Sequence, residues 1–161
     1  MNKIFEKLTN QLTETIDSSV ALALHNKNQE VEVIHLLWAL LSNTNSVLNQ
    51  LLNKMNVNKV AVELEAKSYA SKLPSVSSVT KESIKLSRNL LSSLQSAEGL
   101  MASFGDKFIA VDTWLISNLD SSVIKDVLGK YVDLKEAKKE LEAMRAGKTI
   151  DSNSGDENLE A

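Results

Sequence analysis

Few residues in this chain of 161 are of the types that perform chemistry, and their spacing limits what they could do. The two histidines, His25 and His35, lie ten positions apart with no Cys or carboxylate beside them at metal-ligand spacing. His35 opens the apolar run Leu36, Leu37, Trp38. An imidazole there is expected to bond neighbouring backbone rather than to move protons. Glu30 and Glu32 flank Val31, and alternation in a loop points the two carboxylates apart, so they do not read as an acid–base pair. The serines lack a nucleophile elbow or a paired base. Gly147-Lys148-Thr149 resembles the end of a phosphate-binding loop but lacks the upstream Gly and the strand. Such a loop needs both to aim several backbone N–H groups at one phosphate. The sequence therefore implies no catalytic residue, no metal site and no cofactor in this chain.

Composition narrows the class further. The hydrophobic content of 43% can fill one core, and no apolar run approaches the roughly 20 residues that span a bilayer. No charged segment followed by an apolar stretch opens the chain, so a secretory signal is not expected. With no Cys there is neither a disulfide framework nor a thiolate, which is compatible with a cytoplasmic location. The 18 basic and 21 acidic residues are interspersed and leave a net charge of −3, which argues against a nucleic-acid footprint. One Pro, five Gly and few aromatics favour an all-α protein.

The elements that would position any site are organised by an internal repeat. At an offset of 78, Leu8 maps to Leu86, Thr9 to Ser87, Leu12 to Leu90, Ile16 to Leu94 and Leu22 to Leu100. After a turn, Asn28 maps to Asp106, Val31 to Ile109, Leu37 to Leu115 and Leu41 to Leu119. The offset then slips to 76 (Leu52 to Leu128) and 75 (Asn58 to Asp133), as loop deletions would cause. Two units are too few for an open solenoid, so the halves should pack on each other about a pseudo-twofold axis. Helical spacing predicts eight helices near 3–24, 33–42, 45–54, 58–72, 81–103, 112–119, 122–130 and 133–146. Asn2 and Thr80 are the expected N-caps of the two long helices, Asn58 and Asp133 cap later ones, and Asn56 suits a left-handed terminator. Repeat one then covers 1–72 and repeat two 80–146, joined through Leu73 to Val79, with no strands expected. Residues 147–161, polar and acidic, read as a disordered end or a linker. The tryptophans Trp38 and Trp114, offset by 76, occupy neighbouring positions of equivalent helices and are expected in the core.

The segments EKLTNQL, ALALHNKNQEVEVIHLLWALL, KLPSV, GDKFIAVD and AMRAGKTI, in this order and spacing, resemble the Clp N-terminal repeat domain of AAA+ chaperones, most closely its disaggregase branch. DENLEA looks like the start of the linker toward a first ATPase module outside this chain. The resemblance covers essentially all of the sequence. It implies a domain that receives unfolded or aggregated polypeptide for an ATP-dependent homohexameric ring working with a DnaK-type chaperone system. ATP and magnesium would belong to the missing modules, and this fragment would be a monomer without enzymatic activity. The alternative implied by the wider family is an adaptor-docking domain of a protease-linked unfoldase.

The resemblance also nominates residues. Thr9 and Ser87 match the repeat-start hydroxyls, Asp106 a turn acid after Gly105, and Asp112 stands where the family usually has Glu. In the family these polar positions are implicated in chaperone activity, and they could equally cap helix starts. An apolar substrate groove is implied on the second repeat, with Leu94 and Leu100 as its contacts. Ser96 and Thr113 fall where apolar lining would be expected.

Overall fold

Thr9 and Ser87 each turn an extended backbone into a helix. At both, φ is near −65° and ψ near 160°, and the hydroxyl accepts from the N–H three residues on, Leu12 at 3.2 Å and Leu90 at 3.0 Å. These caps start α1 (Asn10–His25) and α5 (Arg88–Ser103), the long helices of the two halves. In the computed structural model, which describes residues 3–156, the first half continues through α2 (Val33–Ser42), α3 (Val47–Lys54) and α4 (Lys59–Ser71). The second continues through α6 (Val111–Asn118), α7 (Ser122–Val127) and α8 (Leu134–Arg145). The eight-helix, two-repeat architecture expected from the sequence is present.

The long helices begin later than their apolar spacing suggests. Residues Lys3–Lys7 form a separate 3-10 turn, and no helix covers 81–87. What intervenes is pairing between the halves. Strand β1 (Glu30–Val31) runs parallel to β2 (Lys85–Leu86), with Val31 opposite Leu86, while Leu8 bridges Ile109. These contacts exchange under the offset of 78, as do two bonds beside them: Ser87 N–H to Val31 O at 2.9 Å and Thr9 N–H to Ile109 O at 3.0 Å. Each half thus lends an extended segment to the other, the reciprocal pattern of a twofold contact. A backbone committed to that pairing cannot also donate within a helix. Thr80 accordingly caps no helix. It exchanges hydrogen bonds with Ser83 inside an isolated turn, and Asn2 lies outside the described residues. Elsewhere the local signals hold: Asn58 and Asp133 cap α4 and α8, and Asn56 has φ of 56°.

One core joins the halves. Leu12 and Leu90, Leu37 and Leu115, and Leu41 and Leu119 are all buried in it, with Trp38 and Trp114. Trp114 donates its indole N–H to Ser93 Oγ at 2.9 Å, which satisfies the only polar atom of a fully enclosed side chain.

The end of the described chain departs from expectation. Residues 147–156 return over the helix starts instead of trailing as a linker. Ile150 is buried against Ala110 and Phe108, Lys107 N–H donates to Ile150 O at 2.8 Å, and Thr9 Oγ1 donates to Asp156 Oδ2 at 2.7 Å. A single Ile in a polar run is enough because its own backbone is satisfied at the same time, its N–H by Asp106 and its C=O by Lys107. Replacing Ser87 with Ala should cost about 1 kcal/mol, the worth of an N-cap. Thr9→Ala should cost measurably more, since it also leaves the Asp156 carboxyl without its hydroxyl. Urea midpoints compare the two, and equal losses would mean that the Thr9–Asp156 bond contributes nothing.

Candidate functional site

An open groove lies on the second half. In the first half α4 lies along α2, but its counterpart α8 touches α6 over a much shorter stretch, which leaves a groove of about 660 Å³ between α5, α6, α7 and α8. Leu100, Ile116, Leu119 and Leu134 supply its apolar lining. Small residues keep it open. Gly99 and Ser103 line it where the first half has Ala21 and His25, and Ile116 stands where the first half has Trp38. A Cβ built on Gly99 would meet nothing within 4 Å. Lys125, Lys135, Lys138 and Asp120 stand around the rim, all exposed. Mixed apolar and polar lining in an open concavity suits a flexible ligand held mainly by non-directional contact.

Of the six residues nominated from sequence, Leu100 alone lines this groove. Leu94 is 0% exposed and packs in the core, so it offers no atom to a ligand. The reason is one of helix geometry: Leu94 shares the inward face of α5 with Leu90 and Ala97, and Leu100 sits at that face's edge. Thr113 is also fully buried and therefore does not interrupt the groove lining, whereas Ser96 does lie in it. Thr9, Ser87, Asp106 and Asp112 are buried too.

Asp106 and Asp112 meet around Arg145, the last residue of α8. The guanidinium donates from Nε and Nη2 to the two oxygens of Asp112 at 2.9 and 2.7 Å, from Nη1 to Asp106, and from Nη2 to Thr113 Oγ1 at 2.9 Å. Its other face lies 4.8 Å from the centre of the Phe104 ring. Burial alone would lower the Arg145 pKa, but hydrogen bonds and charge attraction from Asp112 and then Asp106 outweigh it and hold the pKa above its ordinary value. The remaining Asp106 oxygen accepts from Ile150 N–H at 2.8 Å, so the cluster also fastens the returning segment. Near its end, burial pushes the Asp156 carboxyl up, against the lowering effect of the Thr9 hydroxyl. The arrangement is a fully bonded ion cluster; it holds no free base or open ligand position.

The same place in the first half is built from neutral groups. His35, equivalent to Thr113, accepts at Nδ1 from Glu32 N–H at 2.8 Å, so Nε2 carries the proton and donates to Asn28 Oδ1 at 2.8 Å. Asn28, equivalent to Asp106, donates to Pro74 O at 3.1 Å and so fastens the inter-repeat segment. Burial lowers the His35 pKa from 6.5 to about 4. This is the structural histidine that its sequence context suggested.

Sequence reasoning missed Arg145, Ile116, Leu119 and Leu134. For Arg145 a signal existed: Ala137, Leu141 and Arg145 follow one another at four-residue spacing, so the Arg continues a buried stripe. Among the described residues no group of three or more His, Cys, Asp or Glu could hold a metal ion, and no helix is long and apolar enough to cross a membrane.

Comparison with known proteins agrees with this architecture. The family described as "Clp repeat (R) N-terminal domain" matches residues 7–131. The chaperone protein ClpB of Wolinella succinogenes is 55% identical over 157 residues, which cover 98% of this chain and 18% of that protein. The chain thus spans about a fifth of the length of the curated relatives it matches. Among solved structures, the Hsp104 N-terminal domain of Candida albicans superposes with a TM-score of 0.84 at 21% identity, covering 93% of this chain and 99% of that one. A ClpV N-domain in complex with a VipB peptide gives 0.69 at 18% identity, covering 90% and 91%. On the sequence match and the duplicated helical fold together, the chain belongs to the Clp N-terminal repeat domain family and is similar to the N-terminal part of ClpB chaperones.

Proposed function

We infer that this domain receives unfolded or aggregated polypeptide by seating apolar side chains in the α5–α8 groove. The observation that carries the reading is an open concavity lined by Leu100, Ile116, Leu119 and Leu134 on the second half of a pseudosymmetric domain. Apolar lining at the floor of an open groove accepts many sequences, because hydrophobic contact does not depend on direction. The ClpB relatives support a chaperone role, and a related fold is known in complex with a peptide. In the whole protein the bound segment would pass to a homohexameric ATPase ring acting with a DnaK-type system in the cytoplasm. Nucleotide and magnesium would belong to that ring. Thr9, Ser87, Asp106 and Asp112 contribute indirectly, by fixing the helix starts beneath the groove's supporting elements.

The expected affinity is weak, with a dissociation constant on the order of tens of micromolar, because few contacts must offset the ordering of a mobile ligand. Titrating an unfolded polypeptide into the labelled domain should shift resonances of α5 and α8 selectively. Leu100→Arg should abolish those shifts. Since Leu100 also packs on the core, Gly99→Gln is the companion variant: it fills the groove from a position with free space. Unchanged binding in a folded Gly99→Gln domain, or shifts spread evenly over both halves, would overturn the reading.

A further inference from the structure

Lys125 on α7 and Lys135 and Lys138 on α8 line the same groove as Leu100, and Asp120 is the one carboxylate among the lining residues. These three ammonium groups have no ion-pair partner within 4.0 Å among the described residues. Neighbouring cations are treated differently: Lys130 pairs with Glu65 at 3.1 Å and Lys139 with Glu136 at 3.6 Å. The rim is therefore locally positive on a chain whose net charge is −3. Lysine stems can extend an apolar floor while the charged ends stay in water, so three of them frame the groove without closing it.

We propose that the groove selects apolar segments flanked by carboxylates, so that acidic-flanked stretches of unfolded chain bind in preference to basic-flanked ones. The proposal rests on the polypeptide-receiving role inferred above and adds its specificity. An apolar side chain enters over Leu100 and Leu134, and Glu or Asp residues on either side meet Lys125 and the Lys135–Lys138 edge. A basic flank meets the same three charges as repulsion, which is where most discrimination arises. Each exposed pairing is individually weak, and three acting together give a preference of about fivefold or more at low ionic strength. Screening then removes it: the Debye length falls from roughly 10 Å at 0.1 M salt to roughly 3 Å at 1 M.

The test uses two synthetic peptides with one shared apolar centre, one flanked by Glu and one by Lys, in fluorescence anisotropy with this domain. The Glu-flanked peptide should bind at least about fivefold tighter in low salt, and the two should converge toward equal affinity near 1 M. The triple variant Lys125→Gln, Lys135→Gln, Lys138→Gln should lose the preference. A control triple at the exposed remote positions Lys59, Lys67 and Lys81, also changed to Gln, should keep it. Equal affinities in low salt, both weakened by Gly99→Gln, would overturn the charge selection and leave the receiving role standing. Loss of preference in the control triple as well would also overturn it, since total charge rather than the rim would then be responsible. Binding of both peptides that ignores Gly99→Gln would defeat the underlying reading itself.

Discussion

Arg145→Leu is expected to destabilise the domain by on the order of 3–5 kcal/mol, more than any cap or surface change. The substitution removes the counter-charge shared by Asp106 and Asp112 and leaves two carboxylates enclosed. Breaking a buried pair from one side costs this much because the remaining charge keeps its desolvation penalty and loses its partner. It also removes the donor to Thr113 and the cation over Phe104. The charge-free combination Arg145→Leu with Asp106→Asn and Asp112→Asn should recover part of the loss, since an all-neutral cluster carries no stranded charge. Urea denaturation of the three proteins measures this. A loss below about 1 kcal/mol for Arg145→Leu would mean that the cluster is solvated in solution and not the enclosed network seen here.

The second large effect is a loss of stability in acid through His35. Its pKa falls from 6.5 to about 4 on folding, so between these values the unfolded chain binds more protons than the folded one. Stability from the neutral ring is complete above pH 6.5 and is lost as pH falls through the window to about 4. The difference of about 2.5 units corresponds to on the order of 3 kcal/mol. Protonation at Nδ1 would also place two donors head-on, since that atom accepts from Glu32 N–H. Comparing the wild type with His35→Gln by chemical denaturation isolates the effect, because every other side chain is common to both. The stability gap between the two proteins should shrink by roughly 3 kcal/mol from pH 7 to pH 4. A gap that stays constant would show that His35 titrates normally.

Local patterns read correctly wherever the decisive partner is near in sequence. Asn58 and Asp133 cap helices through their own next turn, and Asn56 ends one through its own φ. The offset of 78 paired Leu37 with Leu115 and Leu41 with Leu119 because equivalent core positions tolerate only similar side chains. Errors came where a distant segment decides. The helical spacing expected over 3–24 continues on both sides of Leu8, yet the bridge to Ile109 breaks it. The resemblance nominated Leu94 and Leu100 together, yet the spacing Leu90, Leu94, Ala97 already puts Leu94 on the inward face of α5, and only Leu100, at that face's edge, reaches the groove. Ile150 was lost in a polar run, since the pocket receiving it is made by Ala110 and Phe108 forty residues earlier.

The reciprocal lending of Leu8 and Val31 to Ile109 and Leu86 has a consequence for ancestry. A single repeat would hold two short unpaired backbone edges and half a core, and a second copy of itself would complete both. The present molecule is thus built as a homodimer made continuous by the segment around Pro74. In a true homodimer every substitution appears twice, so a helix could not lie close on one side and stand off on the other. Joining the copies in one chain removed that constraint. One half could then adopt a neutral His–Asn bolt and keep Trp38 where the other has Ile116, while the other adopted Arg145 with two aspartates and let α8 stand off from α6. The one-sided groove is a product of broken symmetry, available only once the two halves were encoded separately.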